Sequence, residues 1–266
     1  MTLVTLPTQF TSRAERTSFI SQLFGLTEPT AVSALVGGRT RALNQLAQLN
    51  IKDYARTRNH LEGAVTQLSA AIRHGVVQPI ELVDMAQQQG SSDESKRFLQ
   101  QVCWREYFHQ VHHRQPHLLW QDIEPYKTGF TAEEYANALP KDIEHGATGV
   151  EFIDALIKQL ITTGYLHNHA RLYLAAYTVH WRRVKWQAGA QWFLHHLLDG
   201  DVASNNYSWQ WVASTFSAKP YFFNLDNVKK YSPALQSFNH PSNAIFDYTY
   251  EQLQQTLFAH TINEGW

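Results

Sequence analysis

The chain has 266 residues, a net charge of −1, a pI near 6.9 and a single cysteine, Cys103. That length suits one large domain with a substantial core, and near-neutral charge excludes bulk electrostatics as a source of nucleic-acid affinity. A lone thiol excludes an internal disulfide and any zinc or iron–sulfur site built from several cysteines, and it fits a reducing compartment. The N-terminal stretch MTLVTLPTQFTSRAERTSF has no long apolar run, and no uncharged apolar run elsewhere approaches about 18 residues. The expectation is a cytoplasmic protein without a membrane span.

Residues 1–34 read as a lead-in with one helix over 13–26, after which Thr27 or Thr30, with Pro29, caps the next element. From Gly37, residues Leu43, Leu46 and Leu49 keep helical spacing until Asn50 and Asp53 break it. Leu68, Ala71, Ile72 and Val76 predict a helix that stops near Gly75, and Pro79 opens another through Leu82, Val83 and Met85. Gly90-Ser91-Ser92 reads as a loop, and Asp93 caps a helix over about 93–113 that carries Phe98, Val102 and Phe108. Residues 114–147 are punctuated by Pro and Gly and mix short helices with loops. Ile153, Leu156, Ile157, Leu160 and Ile161 then mark an amphipathic helix from Thr148 to a stop at Gly164. Helices follow over 168–186, 189–198 and 250–258. No strand pattern competes, so the expected fold class is all-α.

Three stretches carry chemistry. Leu198 to Trp211, LDGDVASNNYSWQW, sets two aspartates around a glycine, then two asparagines and two tryptophans. Carboxylates accept from a ring N–H, and Trp stacks or passes electrons. The same residues also suit a polar turn with an aromatic patch. Thr163 to Leu172, TGYLHNHARL, places Arg171 where it can partner a buried carboxylate. Cys103 to Tyr107, CWREY, sets an indole beside a guanidinium on a helix, which can hold a base or a phosphate. Neither His167, His169, His195 and His196 nor His109, His112 and His113 show metal-ligand spacing. No P-loop, G-x-G-x-x-G, G-x-S-x-G or kinase motif is present.

In order, these stretches resemble the FAD-binding domain of the DNA photolyase/cryptochrome family. The run from Thr148-Gly149 through Asp154-Ala155, Leu160 and Thr163-Gly164 to His167-Asn168-His169-Ala170-Arg171 is similar to that family's TGxxxxDAxxxxLxxTGxxHNxxR pattern. Trp192-Phe193 through Leu198-Asp199-Gly200-Asp201, Asn205-Asn206 and Trp209-Gln210-Trp211 is similar to its WFxxxLLDGDxAxNNxxWQW signature. Trp104-Arg105-Glu106-Tyr107 resembles WREFY, and a weaker match runs from Gly37-Gly38 through Tyr54 and Arg58 to Ser69. The likeness covers roughly 35–233, with 1–34 as lead-in and 234–266 as a tail packed on the same domain.

The resemblance implies bent FAD in a helical bundle. Asp199, Gly200 and Asp201 would lie at the flavin and its folded-back side, with Arg171 paired to Asp199, Arg105 beside the cofactor, Asn205 near flavin N5 and Asn168 at the adenine side. Tyr54, Thr66, Gln67 and Ser69 match the phosphate-binding segment, although VTQLS stands where the family has TSxLS. Trp209 and Trp186 fall at the first two positions of the family's electron-transfer chain. Trp104 and Trp211, with Arg105, fall where photolyases grip a flipped pyrimidine dimer in DNA. The implied activity is blue-light repair of such dimers, favouring single-stranded DNA; the alternative is a cryptochrome-like photoreceptor acting through a protein partner.

Four departures stand out. No N-terminal α/β antenna domain is expected in this chain. Gln101, three before Trp104, stands where dimer-repairing members commonly carry Glu and DASH-class cryptochromes carry Gln. Asn205-Asn206-Tyr207-Ser208 replaces NNGG. No Trp occupies the third electron-chain position, where Ile143 and Tyr135 lie nearby and Trp181 is the candidate substitute.

Overall fold

The computed structural model describes residues 6–26, 33–89, 93–233 and 240–258. The Thr27/Pro29/Thr30 cap, the Gly90–Ser92 loop and parts of the tail lie outside the described residues. The chain divides into two units, Met1–Val36 and Gly37–Trp266. The first holds α1 (Arg13–Leu23), capped by Ser12, whose side chain accepts from the Glu15 N–H. Phe10 packs on Phe19 at 5.6 Å, but α1 buries no residue.

The second unit is built from helices: α2 (Arg39–Gln48), α3 (Ile51–Thr57), α4 (Ser69–Arg73), α5 (Pro79–Gln88), α6 (Asp93–Arg114), α7 (Lys141–His145), α8 (Glu151–Thr163), α9 (Asn168–Ala176), α10 (Trp186–His196), α11 (Val202–Ala213), α12 (Leu225–Tyr231) and α13 (Tyr250–Leu257). Among the described residues the only extended pairing is an isolated parallel bridge between Ala136 and Val184. The all-α expectation therefore holds. No helix among the described residues is long and apolar enough to cross a membrane.

Two large apolar clusters organise this unit, and a third, small one gathers Leu253, Leu257 and Phe258 around α13. The smaller of the two large ones joins α2, α3, α5 and the start of α6 around Leu46, Ile51, Tyr54, Leu68, Leu82 and Phe98. The larger surrounds α8 to α12. In α8, Ile153, Leu156, Ile157 and Leu160 are buried as the spacing predicts, with Phe152 buried beside them, whereas Ile161, counted in the same pattern, faces solvent. Each buried side chain contributes about 1.5–3 kcal/mol by leaving water. Asp154 holds the helix start by accepting from the Thr148 and Gly149 backbone N–H groups and from the Thr148 hydroxyl.

The helix end matters for the site. Gly164 has φ +67°, and a Cβ there would meet Leu198 Cγ at 2.7 Å. Only glycine adopts this turn while letting the 198–200 loop pack against it.

The predicted continuous helix over 168–186 is interrupted. α9 ends at Ala176, a π-helical turn spans Tyr177–Trp181, and Arg183 takes φ +50°. Tertiary contacts outweigh helix propensity here. The Arg183 guanidinium stacks 3.7 Å above the Phe130 ring, and the 183–185 backbone exchanges bonds with Ala136. The next helix consequently starts at Trp186, not at 189.

Candidate cofactor and nucleic-acid site

The loop between α10 and α11 and side chains of α3, α4, α6, α9 and α11 carry the site residues. Asp201 ends the loop after α10 and caps α11, accepting from the Ser204 N–H at 2.9 Å. Arg105 and His109, four apart on α6 and so on one face, both reach it. His109 Nε2 lies 3.0 and 2.9 Å from the two Asp201 oxygens, and Arg105 Nη2 donates at 3.3 Å. Burial alone would raise the Asp201 pKa, but the bonds from Ser204 and the nearby His109 outweigh it and hold the carboxyl below its usual range. With both oxygens taken by protein donors, Asp201 fastens α6 to α11.

Asp199 is different. It is buried, and its Oδ2 accepts from Arg171 Nη2 at 2.7 Å. The Arg171 Nε donates to the Leu166 carbonyl at 3.0 Å, so the guanidinium is aimed from two sides. Asp199 Oδ1 is buried without a hydrogen-bond partner among the described residues. His167, which caps α9 through Nδ1, stays neutral at pH 7: burial first, and then the Arg171 charge, lower its pKa to about 4. Arg171 is thus the cation serving Asp199. Asn168 follows at the exposed first position of α9.

The segment 66–69 is brought to this loop by two contacts that sequence reading did not foresee. Arg73 Nε donates to the Gly200 carbonyl at 3.0 Å, and His74 Nε2 lies 2.9 Å from the Leu198 carbonyl. Thr66 accepts from the Leu68 N–H, Gln67 is exposed with φ +51°, and Ser69 opens α4. Tyr54 is buried on α3, edge-on to Phe98 at 5.0 Å, with its pKa raised by burial.

On α11, Asn205 Nδ2 donates to the Ala190 carbonyl of α10 at 3.0 Å. It also donates to Asn206 Oδ1 at 3.0 Å, while Asn206 and Gln210 donate to the Leu119 and Leu118 carbonyls at 2.9 and 3.0 Å. Trp209 and Trp186 are both buried. The Trp209 ring lies on the α10 backbone at Gly189, where an added Cβ would sit 2.3 Å from it. The expected substitutes for a third chain member lie elsewhere: Trp181 packs on Phe223 and Phe246, and Tyr135 stacks on Tyr126. The aromatic ring found stacked on Trp186 is Trp120, which the sequence reading passed over.

Helices α6 and α11 also expose large aromatic side chains. Trp104, Tyr107 and Trp211 are 47%, 46% and 41% exposed, unusual for such large side chains. Below them, Tyr107 stacks on Phe216 at 6.3 Å and Phe108 on Tyr207 at 5.9 Å. Tyr207 is fully buried, so its large ring is absorbed by packing on Phe108 and Phe216. Gln101 lies one turn before Trp104, half-buried. No group of three or more His, Cys, Asp or Glu suited to a metal ion occurs among the described residues.

A family model, the FAD-binding domain of DNA photolyase, matches residues 98–266. The chain belongs to this family. A deoxyribodipyrimidine photo-lyase of Streptomyces griseus is 35% identical over 164 residues, covering 61% of this chain and 35% of that protein. The enzyme of that name from Escherichia coli K12 is 29% identical, covering 78% and 43%. Among solved structures, an archaeal photolyase from Sulfolobus tokodaii with two FAD molecules superposes with a TM-score of 0.71 at 24% identity, over 90% of this chain and 60% of that one. A class III photolyase from Agrobacterium tumefaciens gives 0.66 at 20% identity, over 94% and 58%. The chain thus spans less than half the length of these curated relatives.

FAD is the cofactor of the photolyase FAD-binding domain, and the residues present fit it. The free Oδ1 of Asp199, an acceptor locked by Arg171, suits a ring N–H of the isoalloxazine. The 66–69 segment, held against the same loop by Arg73 and His74, offers hydroxyls and backbone N–H groups for phosphates.

Proposed function

We propose that this chain uses bound FAD to repair cyclobutane pyrimidine dimers under blue light, favouring single-stranded DNA. The carrying observation is the exposure of the aromatic side chains Trp104, Tyr107 and Trp211 on the same two helices that hold Asp201 and Asn205. Bases stack on such rings without regard to sequence. The chemistry supplied by bound FAD is light-driven donation of one electron to the dimer and its recovery after ring opening.

The chain's own residues do the rest. Trp104 and Trp211 receive the flat faces of an extruded dimer. Gln101, one turn from Trp104, offers an amide to a base edge. Asp199 and Arg171 fix the flavin ring plane, and the apolar Phe108–Tyr207–Phe216 layer excludes water from below. Single strands are favoured because extrusion from them costs less. The cations also argue for this. Arg105 is paired with Glu106 and Asp201, Arg182 with Asp142, and Arg183 is stacked on Phe130. These arginines are committed to protein partners rather than to a duplex backbone.

One observation favours a second reading, a flavin photoreceptor acting on a protein partner. Tyr207 fills space beside the aromatic side chains of α6 where relatives of this motif carry glycine. The experiment is repair of matched single- and double-stranded thymine-dimer oligonucleotides by the reduced protein in blue light, with a dark control. Trp104→Ala should abolish repair while leaving flavin content unchanged. Flavin-bound protein that repairs neither substrate overturns the proposal and leaves the photoreceptor reading.

A further inference from the structure

We propose that Arg73 and His74 are positioning residues for the flavin ring: from α4 they hold the two carbonyls that flank Asp199 and so fix its free oxygen. The proposal rests on FAD binding and not on dimer repair.

The backbone of the loop carries the argument. Asp199 is buried, and its Oδ1 has no hydrogen-bond partner among the described residues. Where that oxygen points depends on the peptide planes around residue 199, because each peptide unit turns as one rigid plate. The plate between Leu198 and Asp199 carries the Leu198 carbonyl, and His74 Nε2 lies 2.9 Å from it. A carbonyl only accepts, so this ring nitrogen is the donor. The plate between Gly200 and Asp201 carries the Gly200 carbonyl, which accepts from Arg73 Nε at 3.0 Å. The plate before Leu198 is fixed as well, since the Leu198 N–H donates to the Gly164 carbonyl at 2.9 Å. The loop is therefore pinned from the end of α8 and from α4. Glycine at 200 leaves this stretch more backbone freedom than any other residue would, so an external tie matters most there.

The mount for these ties is firm. Leu68 and Val77, on either side of α4, are fully buried in the cluster of α2, α3, α5 and α6, and Ala71 and Ile72 pack against it. Gly75 takes φ +68° and turns the chain so that the Val76 and Val77 N–H groups return to the Ala71 carbonyl at 2.8 and 3.2 Å. The 198–200 loop follows Leu197, which belongs to the other large cluster. Arg105 and His109 of α6 hold residue 201, which leaves the 198–200 stretch to Arg73 and His74. The orientation of Asp199 toward a ring N–H thus depends on side chains that stand outside its own cluster.

The test compares variants that lose these donors with variants that keep them. Arg73→Met/His74→Leu removes both. Arg73→Gln/His74→Gln keeps an uncharged N–H at similar reach, since the Gln amide nitrogen and Arg Nε both follow Cδ. FAD affinity is read by fluorescence, the ring N–H by nitrogen-15 resonance of labelled FAD at saturation, and the scaffold by urea unfolding of the flavin-free protein. The Met/Leu variant should bind FAD about tenfold more weakly, as expected for two partly exposed hydrogen bonds. Its ring N–H resonance should move toward that of free FAD even at saturation, and the Gln pair should restore both readings. Should the double variant fail to fold, Arg73→Met and His74→Leu singly carry the same comparison. Wild-type affinity and resonance in the Met/Leu variant overturn the proposal. So does weakened binding with an unmoved ring resonance, or rescue by Arg73→Lys and not by the Gln pair, either of which makes Arg73 a ligand of the phosphates. No dimer enters these measurements, so protein that shows the expected shifts and repairs nothing counts against the repair reading alone.

Discussion

Asp199→Asn separates the charge of the buried carboxylate from its shape. The Asp199 side chain is 5% exposed and accepts from Arg171 Nη2 at 2.7 Å. Stripping one partner from a fully buried ion pair costs about 3–5 kcal/mol. Arg171, however, is 24% exposed and keeps its Leu166 carbonyl bond at 3.0 Å. The relevant figure is therefore that of one charge-assisted bond, about 1.5–3 kcal/mol, and we expect a loss of about 2 kcal/mol in the flavin-free protein. The flavin-loaded protein should lose more, because bound ligand adds stability that scales with its affinity. Each tenfold weakening of FAD binding removes about 1.4 kcal/mol further. Urea unfolding of both forms, with FAD titration by absorbance, measures the two parts. A double-mutant cycle with Arg171→Met should return a coupling of about 1–2 kcal/mol. If Asp199→Asn changes flavin-free stability by less than about 0.5 kcal/mol and binds FAD as wild type does, the assignment of this pair to the cofactor site is wrong.

Two further outcomes test the scaffold. Burial lowers the pKa of His180 to about 3 and of His167 and His169 to about 4, against 6.5 for the unperturbed ring. The unfolded chain then binds more protons than the native one below pH 6.5, so stability is full above that pH and falls as pH drops toward 4. For His167 alone the shift corresponds to a loss on the order of 3 kcal/mol, and urea midpoints that stay level between pH 7.5 and 4.5 would contradict it. Gly164→Ala combines a left-handed backbone with a Cβ placed 2.7 Å from Leu198 Cγ, whereas Gly149→Ala has φ +78° and open space. Gly149→Ala should cost about 1–2 kcal/mol and Gly164→Ala about 2–4 kcal/mol, read by thermal unfolding. Equal losses would show that the contact with the 198–200 loop carries no energy.

Much of the fold and part of the site were legible in the sequence, for local reasons. The buried face of α8 follows from the spacing of Ile153, Leu156, Ile157 and Leu160, and its stop follows from Gly164. The Arg171–Asp199 pair was expected from motif order and is present at 2.7 Å. The 168–186 segment was misread because its break comes from outside it. Phe130 and Ala136 capture Arg183 and the backbone beside it, and no residue within the segment signals a stop.

What the sequence alone determined is what depends on neighbours along the chain: helix class, the buried face and stop of α8, and the order of motifs that marks a photolyase FAD-binding domain. The tertiary structure alone decided which of those residues meet. It engaged both oxygens of Asp201 with α6 and left one oxygen of Asp199 free. It tied Arg73 and His74 to the Gly200 and Leu198 carbonyls, more than a hundred residues away in sequence. It also laid Trp120 on Trp186, although Trp120 sits in a punctuated loop with no periodic signal. Periodicity and capping act over a turn or two of helix. Contacts such as these are set by how the packed helices close on one another, which local spacing does not encode.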